Sequence, residues 1–302
     1  MKKPNLFFNT LKHNYIWFLL LAPAFLSLLI IVVYPMIFSL SLSFHQWNII
    51  RPSGWTLVGL SNYIEILFHD SYFYSSLKTT LIYLLGTIPI QFGLGLLIAL
   101  ILQNVTQKII GFLRTTLILP TIMTPIVVGI IWRLMYNPDM GTLNYFLDLF
   151  HLAPINWVGM PNTALLSVMV VDIWEWTPFM ALILLAGLQS LPTEPFEAAL
   201  VDGASFLQMF RFITLPLLIP TMLVALLIRI IDSFKTFDII FVLTQGGPGR
   251  VTETMNYYTY RYGFKFFHMG YTSALSWILL MIVTIISMLL IKMLFFRRVI
   301  EG

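Results

Sequence analysis

Six runs of mostly apolar residues partition this chain, at about Ile16–Phe38, Leu77–Leu102, Leu113–Met135, Ala164–Leu188, Leu217–Leu243 and Ala274–Phe296. Each reaches the roughly 17–25 residues that a helix needs to cross the hydrocarbon of a bilayer. Apolar residues follow one another without the every-second-residue alternation of a barrel strand. The pattern therefore predicts an all-α integral membrane protein with six transmembrane helices. Prolines fall inside several runs, at Pro23, Pro35, Pro89, Pro120, Pro125, Pro178 and Pro220. In a bundle such prolines kink helices while neighbours satisfy the freed carbonyls, and kinking is the role expected of them here.

The first run follows a basic leader, Lys2, Lys3 and Lys12, and contains Ala22-Pro23-Ala24, which resembles a small-residue cleavage site. That triplet lies inside a run continuing to Phe38, so an uncleaved first helix is expected. Basic residues then set the orientation. With a cytoplasmic N-terminus and an even number of spans, both termini are cytoplasmic. Nine basic residues, Lys2, Lys3, Lys12, Lys108, Arg114, Arg211, Lys292, Arg297 and Arg298, then fall on the inner side. Five, Arg51, Lys78, Arg250, Arg261 and Lys265, fall on the outer side. This places the acidic interruption at Gln189–Thr214 in the cytoplasm.

Composition narrows the class further. Charged residues make up 10% of the 302 positions and hydrophobic ones 59%, against about 25% charged in soluble domains. The absence of cysteine excludes a disulfide framework, a thiolate metal site and a cysteine nucleophile. His13, His45, His69, His151 and His268 are scattered without metal-ligand spacing, so no metal is expected. The pI near 9.2 does not mark a nucleic-acid binder, because the basic residues sit at the ends of apolar runs rather than in a patch interleaved with aromatics.

One polar interruption stands out, Glu194-Pro195-Phe196-Glu197-Ala198-Ala199-Leu200-Val201-Asp202-Gly203-Ala204. Thr193 suits an N-cap, Pro195 the first helical turn, and Glu194 and Glu197 the positive end of a helix dipole. Phe196, Ala199 and Leu200 share one face. Gly203 ends the helix and Ser205 caps a second short one. Two readings stand: an amphipathic helix on the membrane surface, or an element that docks to a protein. A surface helix expects apolar residues opposite lysines and arginines. Here acids dominate and small residues permit close approach, which favours docking.

EAALVDGA followed by ITLPLLIP closely resembles the EAA signature of permease subunits of binding-protein-dependent ABC importers, in the carbohydrate-uptake, maltose-type branch. YPMIFSLSLSFHQWN, VGLSNY, PIQFGLGLLIALILQN, GFLRTTLILP, IIWRLMYNPDMGTLNYFL, LAGLQSLP and FDIIFVLTQGGPG fit the same pattern in the right order. The resemblance implies a type I importer permease architecture and a single membrane domain over 1–302. Within it lie an N-terminal helix at about 16–38, a core at about 70–296 and a coupling loop at about 189–216. It implies that Glu197, Ala198, Ala199, Asp202 and Gly203 match the motif, with Phe196 and Leu200 beside them, and that Leu207 and Phe210 are apolar supports. The partners it implies are a second, different permease, two cytoplasmic ATPases and an extracytoplasmic binding protein delivering a di- or oligosaccharide. ATP and Mg would be bound by the ATPases. This chain has no GxxxxGK[ST] loop, so it is expected to be no enzyme and to hold no cofactor. The resemblance also implies a bacterial or archaeal cytoplasmic membrane. Outer segments at about 39–76, 136–163 and 244–273 are candidates for binding-protein contact, or equally for packed re-entrant turns.

Ionisable residues inside spans are costly and seldom idle. Asp172 and Glu175 share a helix face in the fourth span, flanked by Trp174 and Trp176. Acceptor carboxylates with an aromatic platform suit a polyhydroxylated solute; pairing of Glu175 with a basic residue elsewhere is the alternative. In the fifth span Arg229, Asp232, Lys235 and Asp238 alternate in sign every three residues. This row is expected to neutralise itself along one helix, fixing an interface or lining the path. Arg229 and Lys235, if they face the path, would favour a glycerol-phosphate or acidic saccharide. A secondary transporter would use similar charges but would not need the acidic loop.

Overall fold

The computed structural model of the chain describes the backbone of residues 20–50, 54–103, 105 and 107–300, and the same side chains apart from 107–110 and 294–300. Lys2, Lys3, Lys12, Arg51, Lys108, Arg297 and Arg298, on which the orientation leans, lie outside those side chains, as do His13 and the first residues of the first predicted span. The chain divides into two compact units, Met1–His69 with Tyr262–Ile278 and Asp70–Arg261 with Leu279–Gly302.

In the first unit, α1 (Leu20–Ser43) is a helix long and apolar enough to span a membrane. It contains a π-helical turn at Leu29–Val33 just before Pro35. Pro35 lacks the N–H that would bond to Ile31, and its ring crowds that carbonyl, so the turn widens. Beyond it, β1 (His45–Gln46) pairs antiparallel with β2 (Thr56–Leu57). Asn62 Nδ2 donates to the carbonyls of Ser43 at 2.8 Å and His45 at 3.1 Å. Met269 N donates to Trp47 O at 2.9 Å. At Gly270 an added Cβ would sit 1.9 Å from the His45 carbonyl oxygen, so only glycine allows this approach.

The second unit holds α2 (Ser71–Gln103), α3 (Gln107–Ile122), α4 (Pro125–Met135), α5 (Thr142–Leu149), α6 (Pro161–Gln189), α7 (Glu194–Val201), α8 (Leu215–Phe234), α9 (Asp238–Leu243), α10 (Met255–Tyr260) and the part of α11 (Met269–Ile300) from Leu279 onward. Among the described residues, five helical stretches are long and apolar enough to cross a membrane: Leu20–Ser43, Ser71–Gln103, Pro161–Gln189, Phe206–Leu243 and Met269–Met293.

The third predicted span, Leu113–Met135, is not one helix, because α3 and α4 meet at 89°. Thr124 takes an extended backbone, φ −67° and ψ 137°. A residue before proline is pushed out of the helical region by the proline Cδ. Pro125 therefore breaks the helix where a kink is predicted, whereas Pro89, Pro120, Pro178 and Pro220 stay inside theirs.

Close backbone approach holds the bundle together. In lipid the hydrophobic effect does not drive helices together, so packing contacts between small residues carry much of the association. At Gly95 of α2 an added Cβ would lie 2.9 Å from Met180 Cβ and 3.1 Å from Ala181 N of α6. At Gly187 of α6 it would meet Thr221 and Leu218 of α8 at 2.6 and 2.9 Å. Tyr83, Val168, Val171, Ile239, Ile240 and Tyr257 form one buried core between α2, α6, α9 and α10.

The segment at 136–163 is a packed turn. Buried Asn144 donates to the carbonyls of Pro138 and Ile155, each at 3.0 Å, and accepts from Trp157 Nε1 at 2.9 Å. After α9, buried Glu253 is held by Arg250 at 3.5 Å and Arg261 at 3.0 Å. The Arg250 guanidinium lies 3.6 Å over the Tyr72 ring.

Candidate functional site

About midway along α6, a polar knot ties three apolar helices together. Arg229 of α8 and Asp172 of α6 form an ion pair in which each side chain is 1% exposed. Gln91 of α2 closes the triangle. Its Nε2 donates to Asp172 Oδ2 at 2.8 Å and to the Asp172 carbonyl at 3.0 Å, and its Oε1 accepts from Arg229 Nε at 2.8 Å. Burying two charges is tolerable only when their partners are this complete. Arg229 also lies 4.7 Å from the centre of the Trp176 ring. The Asp172 carboxylate also faces the buried Tyr83 hydroxyl, which in turn neighbours Thr236.

Beside this knot opens a cleft of about 190 Å³ lined by Pro125, Asp172, Trp176, Arg229, Asp232, Lys235, Thr236, Phe237, Asp238 and Ile239. It exists because the fifth span is interrupted. The predicted continuous helix at Leu217–Leu243 stops at Phe234 and resumes at Asp238. Irregular backbone at membrane depth is tolerated where protein or a water-filled cavity satisfies it. Here Asn256 Nδ2 donates to the freed Lys235 carbonyl at 2.6 Å, and Arg133 Nη1 to Val242 O of α9 at 3.1 Å. Lys235 sits at the negative end of α8 and Asp238 in the first turn of α9, each opposing the local dipole.

Two expectations need correction. The charged row Arg229, Asp232, Lys235 and Asp238 does not neutralise itself along a helix. Arg229 reaches Asp172 instead, the break moves Asp238 onto another helix, and no ion pair joins the row's own members among the described residues. Nor do Trp174 and Trp176 form one platform. Two positions along a helix differ by about 200°, so Trp176 lines the cleft while Trp174 is 40% exposed and packs edge-on to Trp132. Glu175 is buried, is not among the cleft's lining residues, and its Oε2 has no hydrogen-bond partner among the described residues. Asp172, Trp176, Arg229, Asp232 and Lys235 come together; Gln91, Thr236, Phe237 and Asp238 complete the picture. Gln91 is readable as the lone amide near the middle of the apolar run at Leu77–Leu102, a position where a polar group needs a partner.

A second candidate is α7. Thr193 takes the N-cap position, though its side chain makes no capping bond. The helix closes on a Schellman motif: Ala204 N donates to Ala199 O at 2.9 Å and Gly203 N to Leu200 O at 3.1 Å. Gly203 has φ +75°, with open space around it, so conformation and not crowding demands glycine. Ser205 and Gln208 then form a capping box, with Ser205 N donating to Gln208 Oε1 at 2.7 Å. A helical turn at Phe206–Met209 and a π-helical turn at Phe210–Thr214 lead into α8. Glu197, Ala198, Asp202 and Gly203 are exposed, Phe196 and Ala199 half-buried, and Leu200 and Val201 are 63% and 88% exposed. Leu207 is also exposed and Phe210 half-buried. A shallow hollow of about 310 Å³ follows the helix, lined by Asp202, Gly203, Ala204, Gln208, Met209, Phe212 and Ile213.

A family model described as "Binding-protein-dependent transport system inner membrane component" matches residues 73–301. The chain is 41% identical over 281 residues to the probable ABC transporter permease protein y4oQ of Sinorhizobium fredii, covering 93% of this chain and 89% of that one. It is 36% identical over 281 residues to the trehalose/maltose transport system permease protein MalF of Thermococcus litoralis, covering 93% and 94%. The fold is similar to a chain in the crystal structure of a bacterial ABC transporter involved in the import of the acidic polysaccharide alginate. There the TM-score is 0.82 at 23% identity, over 97% of this chain and 98% of that one.

Proposed function

Because the chain belongs to the family of binding-protein-dependent transport system inner membrane components, we propose that it is the transmembrane subunit of an ATP-driven importer for a di- or oligosaccharide. The chain is a multi-pass permease. In this reading a second, different permease completes the translocation path, and a binding protein delivers the solute from outside the cytoplasmic membrane. Two ATPases, which hold the ATP and Mg, seat α7 on the inner side, where both termini also lie.

The observation that carries the coupling role is the exposed helix α7, closed at its C-terminal end by the Schellman motif and the Ser205–Gln208 capping box but with its apolar Leu200 and Val201 uncovered. A surface left uncovered yet preorganised suits a protein partner. The cleft beside Asp172 and Arg229 supports a role in the path: it offers acceptor oxygens and two aromatic side chains, Trp176 and Phe237. Similarity to the trehalose/maltose permease supports a saccharide cargo. The test is to purify the tagged chain from its native host and reconstitute it in liposomes. ATPases and a second permease should copurify, and binding protein with saccharide should stimulate ATP hydrolysis. Isolation of the chain alone, with uptake driven by an ion gradient, would mean a secondary transporter instead.

A further inference from the structure

The charges around the cleft are not all available to a solute. Arg229 donates through Nε to Gln91 and through its terminal nitrogen to Asp172, its guanidinium carbon lies over the Trp176 ring, and the side chain is 1% exposed. Its positive charge is cancelled where it stands. Asp172 is equally committed: Oδ2 takes both donors, and the carboxylate also faces the buried Tyr83 hydroxyl.

The remaining ionisable lining groups are Asp232, Lys235 and Asp238. With the Arg229–Asp172 pair neutral, Lys235 stands against two carboxylates, leaving one negative charge in excess. Glu175, buried and outside the lining, presents no group to the cleft. Ionised carboxylates only accept hydrogen bonds. Side-chain donors among the lining residues are the Lys235 ammonium, the Thr236 hydroxyl and the Trp176 indole N–H.

Resting on the reading of this cleft as part of the path, we propose that it selects saccharides that are neutral or carry a basic amino group, and excludes uronate-bearing and phosphate-bearing ones. A neutral sugar presents hydroxyl donors to Asp232 and Asp238 and a C–H face to Trp176. A uronate or phosphate brings acceptors to a ring of acceptors and a like charge into a site of low dielectric, an arrangement that rejects wrong ligands. At about 190 Å³ the cleft is below the roughly 300–1,000 Å³ of pockets that enclose a whole ligand. It holds one part of the solute.

The experiment measures binding to the purified permease–ATPase complex without binding protein, so that only the membrane site is read. Probes are neutral disaccharides, the same disaccharides with a terminal C6 carboxylate, and the same with a 2-amino group. Neutral and amino forms should bind about tenfold or more tightly than the uronates. Asp232→Asn with Asp238→Asn should shrink that ratio, and Lys235→Gln should widen it. Uronates that bind as well as neutral sugars would overturn the selectivity and leave the path reading standing. Binding of no saccharide at all would overturn both. If the double variant fails to assemble, Lys235→Gln decides: an unchanged ratio there counts against the proposal.

Discussion

Arg229 forms a sealed ion pair with Asp172, 57 residues away in sequence, and Gln91 bonds to both. Removing one member strands the other. Loss of one partner of a buried pair costs roughly 3–5 kcal/mol, because an uncompensated charge stays behind. Arg229→Met and Asp172→Leu should each lower the thermal midpoint of the assembled complex, and the double variant should recover much of the loss. Thermal unfolding in detergent measures it; a double variant worse than either single one would show that the pair is not the unit that matters.

Glu175 should behave in the opposite way. It is as buried as Asp172, yet Oε2 has no hydrogen-bond partner among the described residues. Glu175→Gln keeps the shape and replaces a buried carboxyl near Asp172 with a neutral amide. Stability should be unchanged or higher, while Asp172→Asn loses stability because Arg229 is left unbalanced. Thermal midpoints of the two variants, measured side by side, test the contrast.

Gly203 couples sequence to function through its backbone. An L-residue at φ +75° is strained, by roughly 1 kcal/mol for alanine, and proline cannot adopt it. Gly203→Ala should reduce transport partly and Gly203→Pro severely, with membrane levels of the chain preserved. Saccharide-stimulated ATP hydrolysis and uptake, measured together, should fall out of proportion. Unaltered coupling in the proline variant would remove α7 from the docking role.

How far these features can be read from sequence depends on what sets them. Hydropathy marks the spans because lipid demands apolar side chains over the length of a crossing, and the cap residues around Gly203 and Ser205 act locally. The polar knot is different. Asp172 and Arg229 are each visible as charges inside a span, but their pairing depends on how helices pack, and the i,i+3 spacing of Arg229 and Asp232 suggests a nearer partner. The break at Lys235–Phe237 escapes for a related reason. No proline or glycine marks it, and its carbonyl is satisfied by Asn256, a residue 21 positions away. At Thr124 the signal is local but ambiguous: a proline kinks or breaks a helix according to whether neighbours can satisfy the freed groups.

The helix contacts supply a prediction with a built-in control. Gly93 and Gly95 lie two positions apart on α2. An added Cβ at Gly93 meets nothing within 4 Å among the described residues, while one at Gly95 meets Met180 Cβ at 2.9 Å and backbone of Ala181 at 3.1 Å. The atoms it meets are the root of a side chain and the backbone itself, so neither can swing away and α2 and α6 must separate. Separation would loosen the knot as well, since Gln91 sits one turn from Gly95 on the same helix face and bonds to Asp172 of α6. Overpacking of this kind typically costs about 1–3 kcal/mol. Gly95→Val should therefore lower both the thermal midpoint and the yield of assembled complex, and Gly93→Val should leave both near wild type. Equal damage from the two variants would point to helix propensity or to a partner chain packed on Gly93, and away from the α2–α6 contact.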